Sequence, residues 1–233
     1  MKKTLFVVVL LSSAVFLFAQ DLSSIVEKYE KSVGADKLIK FKTIKVTGTM
    51  TQMEMTMPIL MLEKNPDKVK VVSTYNNSDI VQVINGDRGY MVNPMMGSSE
   101  PMELPAEQID QIKGNRMLRT SLRGQMEKGK LELVGDETVN GRSAFKIKSS
   151  TDAGDVFILV DKETYYIMAT MMTVNQMGME MSVEMRMSDF KELKGVVMPM
   201  KIETFVGGQF SGVIEYKSIE FDVPIDDSEF EIK

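Results

Sequence analysis

Two periods of apolar positions divide this chain. Leu22, Ile25, Val26, Tyr29 and Val33 recur at helical spacing and Gly34 follows, so Asp21 to Val33 predicts an amphipathic helix with a glycine stop. From Thr43 the period becomes two, with Ile44, Val46, Gly48 and Met50 alternating against Lys45, Thr47 and Thr49. The longest alternation sets Met179, Met181, Val183, Met185 and Met187 against Glu180, Ser182, Glu184, Arg186 and Ser188. Such a segment is a strand with one dry and one wet face.

Further strands are predicted at Ile59 to Leu62, Val69 to Tyr75, Ile80 to Ile84, Gly89 to Val92, Leu131 to Val134 and Ala144 to Lys148. Val156 to Val160, Tyr165 to Val174, Val197 to Phe205 and Phe210 to Phe221 continue the series. Turn residues separate many of them: Asn65-Pro66-Asp67, Asn76-Asn77, Asn85-Gly86, Asn140-Gly141 and Gly207-Gly208. The body therefore reads as an antiparallel meander of roughly ten or more strands. One stretch interrupts it. Asn93 to Ser99 reads as a loop, after which Ile109, Ile112, Leu118, Leu122 and Met126 keep a broken helical spacing weakened by Gly114 and Gly124. A sheet this large must curl or cover its apolar face, and the N-terminal helix and this mid-chain excursion are the available covers.

The chain opens with Lys2 and Lys3, then a mostly apolar run from Leu5 through Phe18, then Ala19 and Gln20. A run of about 14 residues is short for a bilayer span, so residues 1–19 are expected to be a signal peptide cut near Ala19, leaving one domain over 20–233. Leu17 stands where a small residue is usual, which makes the cut site less defined than the export. With 28 Lys and Arg against 33 Asp and Glu, interspersed rather than in blocks, the chain is mildly acidic and no nucleic-acid partner is expected.

The absence of Cys and His removes disulfides, thiol nucleophiles, lipid attachment through a thioether, the usual general base and the commonest metal ligand. No cofactor is expected, and no enzyme. Asp226, Asp227 and Glu229, like Asp161 and Glu163, lie among turn residues where solvated acids are common. Asn85-Gly86-Asp87-Arg88-Gly89 has no following helix to cradle a phosphate and reads as a hairpin turn. Methionine, by contrast, accounts for 22 of 233 residues, and its flexible, polarizable thioether suits surfaces that meet ligands of variable shape. Thr51-Gln52-Met53-Glu54-Met55-Thr56-Met57 and Asn175-Gln176-Met177-Gly178-Met179-Glu180-Met181-Ser182 resemble each other, and both are expected at or near hairpin tips on one rim of the sheet.

Several stretches, taken in order, carry a family resemblance. They include Val26-Glu27-Lys28-Tyr29 with Gly34, Thr43-Ile44-Lys45-Val46-Thr47-Gly48, Lys64-Asn65-Pro66-Asp67-Lys68-Val69-Lys70, and Asn85-Gly86-Asp87-Arg88-Gly89-Tyr90 with Asn93-Pro94. Val134-Gly135-Asp136-Glu137-Thr138-Val139-Asn140-Gly141-Arg142, Asp161-Lys162-Glu163-Thr164, Ser188-Asp189-Phe190, Gly195-Val196-Val197-Met198-Pro199 and Ile225-Asp226-Asp227-Ser228-Glu229-Phe230 complete the set. The order resembles the LolA/LolB-like family of outer-membrane lipoprotein-sorting proteins over most of the mature chain. That resemblance implies a mainly β fold, an unclosed antiparallel β-barrel whose concave apolar face is covered by helices. It implies a periplasmic carrier of lipoprotein acyl chains or related lipids, passed between a membrane-bound donor and acceptor.

On that reading Met53, Met55, Met57, Met179, Met181, Val183, Met185 and Met187 are the candidate lipid-binding residues, and Ile109, Ile112, Leu118 and Leu122 belong to a lid. Ordinary core packing is the competing account of the same residues. A different chemistry is also open: Met-x-Met spacing presents two soft thioethers on one strand face, which suits Cu(I) or Ag(I), though no His or Cys completes such a site. A third possibility is a lipid-sensing regulatory domain. Family members of that kind carry a second, C-terminal domain, and a chain ending at Lys233 favours the stand-alone carrier.

Overall fold

A computed structural model describes residues 21–114, 116–119, 122–151, 154–176 and 179–231. The signal-peptide reading of residues 1–19 lies outside them. Helix α1 (Leu22–Val33) begins at Asp21, whose carboxylate accepts from the Ser24 N–H at 2.7 Å, and ends at Gly34 in the left-handed region, φ 70°. A Cβ at Gly34 would also meet the Gly195 carbonyl oxygen at 2.1 Å. The glycine stop is thus a packing requirement as well as a conformational one. A short helix that the spacing does not foretell, α2 (Ala35–Leu38), follows.

Thirteen strands form one antiparallel sheet: β1 (Thr43–Gln52), β2 (Met55–Lys64), β3 (Lys68–Tyr75), β4 (Ser78–Asn85), β5 (Arg88–Asn93), β6 (Ser98–Glu103) and β7 (Leu131–Val139). The rest are β8 (Arg142–Thr151), β9 (Gly154–Asp161), β10 (Ile167–Gln176), β11 (Met179–Leu193), β12 (Val196–Val206) and β13 (Gln209–Phe221). Their order is β6-β5-β4-β3-β2-β1-β13-β12-β11-β10-β9-β8-β7. The sheet does not close, and its two edges, β6 and β7, are consecutive in the chain. The excursion joins one edge to the other as α3 (Ala106–Gly114), a 3-10 turn (Met117–Arg119) and α4 (Leu122–Glu127).

The expected loop over Asn93 to Ser99 is half right. A 3-10 turn, Pro94–Met96, is capped by Asn93, but edge strand β6 begins at Ser98. Its residues Ser99-Glu100-Pro101-Met102-Glu103 are all exposed, so the strand carries no apolar period. An edge position also tolerates Pro101. Between β1 and β2, Met53 and Glu54 both take positive φ, 49° and 64°, in a turn that no Gly or Asn marks.

The helices lie on one face of the sheet, the concave one. Ile25, Val26 and Tyr29 of α1, with Leu122 of α4, pack on Leu131, Phe145, Ile147, Ile158 and Val160. Leu38 and Leu118 pack on Ile44, Val46, Val196, Met198, Met200, Ile219 and Phe221. Ile109 of α3 packs on Val69, Ile84 and Leu104, in space left by Gly89, where a Cβ would meet Ile109 Cγ1 at 2.8 Å. The excursion therefore crosses the whole concave face. On the convex face the C-terminal segment seats Phe230 against Leu62 and Val83.

The middle of the excursion is held by charge. Glu63 of β2, 1% exposed, accepts from the Met117 N–H at 2.9 Å and the Leu118 N–H at 3.2 Å. Arg116, 2% exposed, places Nε 3.6 Å from the same carboxylate and donates to Asn65 Oδ1 at 2.9 Å and to the Pro66 carbonyl. Weaker surface pairs, Lys113 to Asp87 at 2.9 Å and Arg123 to Glu30 at 2.7 Å, tie its two ends.

Burial drives the Glu63 carboxyl above its ordinary range, outweighing the two N–H groups and Arg116, which pull it down. The native state thus holds this proton more tightly than the unfolded chain does. Its stabilising contribution is full below the ordinary glutamate value of about 4.3 and is lost as pH rises through the raised native value. Urea midpoints measured across that window should fall with pH, and Glu63→Gln should flatten the dependence. Glu63→Ala strands the buried guanidinium and is expected to cost about 3–5 kcal/mol. Gly34→Ala, strained in φ and against Gly195, should cost more than about 1 kcal/mol in the same assay.

Candidate functional site

Strand register decides which side chains share the concave face, because directly opposed residues point the same way. Met57 opposes Met50; Met50 opposes Ile214; Ile214 opposes Ile202; and Ile202 opposes Met187. The result is one apolar row across five neighbouring strands, β2-β1-β13-β12-β11. Four strand spacings make it about 19 Å long.

Met57 is buried, and Met50, Ile202, Ile214 and Met187 are half-buried. None of the five belongs to the clusters beneath the helices. The concave face is therefore divided. Its lower part is dry core under α1, α2 and the excursion, and its upper part is an apolar trough with no helix over it among the described residues.

The sequence-predicted residues fall around this row. Met181, Val183, Met185 and Met187 alternate on the trough face of β11, all half-buried, with Met172 of β10 opposite Val183. Met55 opposes Gln52 one step above the row. Met53 stands in the β1–β2 turn, 79% exposed, and Met179 opens β11, 63% exposed. The meander's direction sets the β1–β2, β3–β4 and β12–β13 turns, and the β10–β11 connection, on the same rim. Both methionine segments thus reach that rim. Along the sheet, however, β1, β13 and β12 separate them, so the two Met-x-Met runs are not neighbours.

Among the proposed lid residues, Ile109, Leu118 and Leu122 are buried in three different clusters and Ile112 is half-buried beside Ile109. Sequence reasoning passed over Met50, Ile202, Ile214 and Met172. Each sits on the apolar period of a strand the alternation had located, but nothing along the chain showed which strands adjoin. Tyr216, opposite Gly48 one step below the row, borders the trough; burial, and then the nearby Glu63 charge, push its hydroxyl up to about 12. It stays protonated and neutral at physiological pH.

Elsewhere the chemistry is structural. Asp227 pairs with Lys64 and Lys68, and Glu229 with Lys70, fixing the C-terminal segment to the convex face. Asp161 accepts from the Glu163 and Thr164 N–H groups at 3.0 and 2.7 Å and pairs with Arg142 at 2.8 Å. A cavity of about 430 Å³ opens beside Met200 and Tyr216, but Asp189, Lys191, Lys201 and Glu215 line it too, a poor match for an alkyl chain. Among the described residues no three acidic side chains converge as a metal-binding group, and no helix is long and apolar enough to cross a membrane.

No family model matches the sequence, and no curated protein matches it. Solved structures do. A DUF1329 family protein from Desulfovibrio piger superimposes with a TM-score of 0.59 at 12% identity, over 89% of this chain and 97% of the other. A LolA superfamily protein from Nitrosomonas europaea gives 0.57 at 14% identity, over 90% and 97%. A putative outer membrane lipoprotein-sorting protein domain from Vibrio parahaemolyticus gives 0.55 at 13%, over 88% and 97%. With its unclosed antiparallel barrel and helices laid on the concave face, this chain has the LolA/LolB-like fold.

Proposed function

We propose that the protein is an exported, periplasmic carrier that takes acyl chains of lipoproteins, or a related lipid, into the methionine-lined trough. The carrying observation is the half-buried row from Met57 to Met187. A largely half-buried apolar line of this length, made only of Met and Ile side chains, suits a greasy chain better than a reaction. Met53, Met55, Met57, Met179, Met181, Val183, Met185 and Met187 are the proposed contacts, with Met50, Ile202 and Ile214 completing the floor. A membrane-bound donor and acceptor would exchange the lipid at the rim.

The excursion serves as the lid. Ile109, Ile112, Leu118 and Leu122 reach three separate clusters rather than one continuous core; the ion pairs at its ends add little, and the buried Glu63–Arg116 pair holds its middle. Each CH₂ removed from water contributes about 0.8 kcal/mol, so a half-dozen carbons would offset an opening cost of a few kcal/mol.

Native mass spectrometry of protein taken from its own envelope should show co-purifying acylated molecules. Protein that stays empty and ignores both a fluorescent fatty acid and a lipopeptide would sink the carrier reading. Met187→Asp and Ile214→Asp, which put a charge on the half-open row, should each weaken the fluorescent probe by about tenfold or more, with strand content by circular dichroism unchanged. Met179→Leu with Met181→Leu should leave it bound. Tight Cu(I) binding abolished by that double change would instead favour a thioether metal site.

The lid carries its own test. Amide exchange in 106–127 should be faster than in β1 and β13 without probe and slow when it is added, and Gly89→Val, which crowds Ile109, should accelerate it further. Exchange as slow as the central strands in both states would mark the segment as fixed core.

A further inference from the structure

The trough and the covered core occupy one face of one sheet, and both hold methionines, but the two sets differ in access. Beneath the helices Met198 and Met200 are sealed among Ile44, Val46, Ile219 and Phe221. Above them Met50, Met172, Met181, Met185 and Met187 are half-buried. Packing alone gives no reason for thioethers there, since Leu or Ile would make an equally dry trough. The chemical difference is oxidation. A thioether accepts one oxygen atom and becomes a polar sulfoxide, whereas an aliphatic side chain does not. With no cysteine anywhere in the chain, no thiol competes for the oxidant.

We infer that the trough methionines are a site of reversible two-electron oxidation that switches off ligand uptake, and that a bound ligand protects them. The inference rests on the carrier reading above. The oxidant is a peroxide or hypohalous acid. For hydrogen peroxide the sulfur lone pair attacks the nearer oxygen, the O–O bond breaks, sulfur is oxidised to S=O, and peroxide is reduced to water. Half-burial matters in both directions: an empty trough exposes these sulfurs to a small oxidant, and an alkyl chain lying along the row shields them. Once oxidised, the row presents S=O dipoles to a ligand that cannot hydrogen-bond to them. Met95 and Met96, exposed in the turn before β6 and outside the proposed contacts, are accessible in either state and act as internal references.

The test treats the full mature protein with hydrogen peroxide, with and without a saturating fluorescent fatty acid, and follows each methionine by peptide mass spectrometry. Met95 and Met96 should oxidise first and at equal rates in both samples. Met50, Met172, Met181, Met185 and Met187 should oxidise several-fold more slowly with the probe present. Oxidised protein with unchanged circular dichroism should bind the probe about tenfold or more weakly, and methionine sulfoxide reductases should restore it. Met185→Leu with Met187→Leu should retain more affinity after peroxide than the parent. Full affinity after the trough is oxidised, or oxidation indifferent to the probe, overturns the inference while the carrier reading stands. Untreated protein that never binds the probe removes both.

Discussion

The structure depends on one topological constraint: the two edge strands of a thirteen-stranded sheet, β6 and β7, are consecutive in the chain. A connection between them has to run from one edge to the other, and burial of Ile109, Leu118 and Leu122 lays it across the concave face. That path would leave backbone groups of the 3-10 turn without partners midway over an apolar surface, which is costly. Glu63 answers this by accepting two of those N–H groups, and Arg116 answers Glu63 in turn. A buried pair of this kind adds little net stability but penalises any arrangement that separates its partners. It sets where the excursion may sit.

From that placement follows the division of the concave face. Helices α1 and α2 and the excursion take the lower part, where Val, Ile and Phe side chains interlock. Among the described residues no element covers the upper part, where Met50, Ile202, Ile214 and Met187 are half-buried. The convex face shows the opposite economy. Its lysines neutralise the carboxylates of the C-terminal segment, and Asp161 is spent on closing the β9–β10 turn. Charge is thus kept structural and local, and the trough is left to apolar chemistry.

Methionine fits such a surface for two separate reasons. Its unbranched side chain repacks around ligands of different shape, and its sulfur is the group on this face open to two-electron oxidation. In the proposed carrier the first property would serve uptake of variable acyl chains, and the second would make the same surface responsive to oxidants. Neither needs a catalytic residue.

By itself the sequence determined the local elements. Asp21 and Gly34 bound α1 where the helical spacing ends, and period-two alternation located nearly every strand. The alternation also showed that Met181 to Met187 share a face, because successive side chains in a strand point to opposite sides. What lay beyond it was adjacency. Met57 and Met187 meet one row only through β1, β13 and β12, and that register comes from hydrogen bonds between segments far apart in the chain. Strand β6 was illegible because an edge that buries nothing imposes no apolar pattern. Nothing in the sequence marks Glu63 and Arg116 as buried, since burial is a property of what covers a residue. Tertiary structure alone decided which half of the face is core and which half is open.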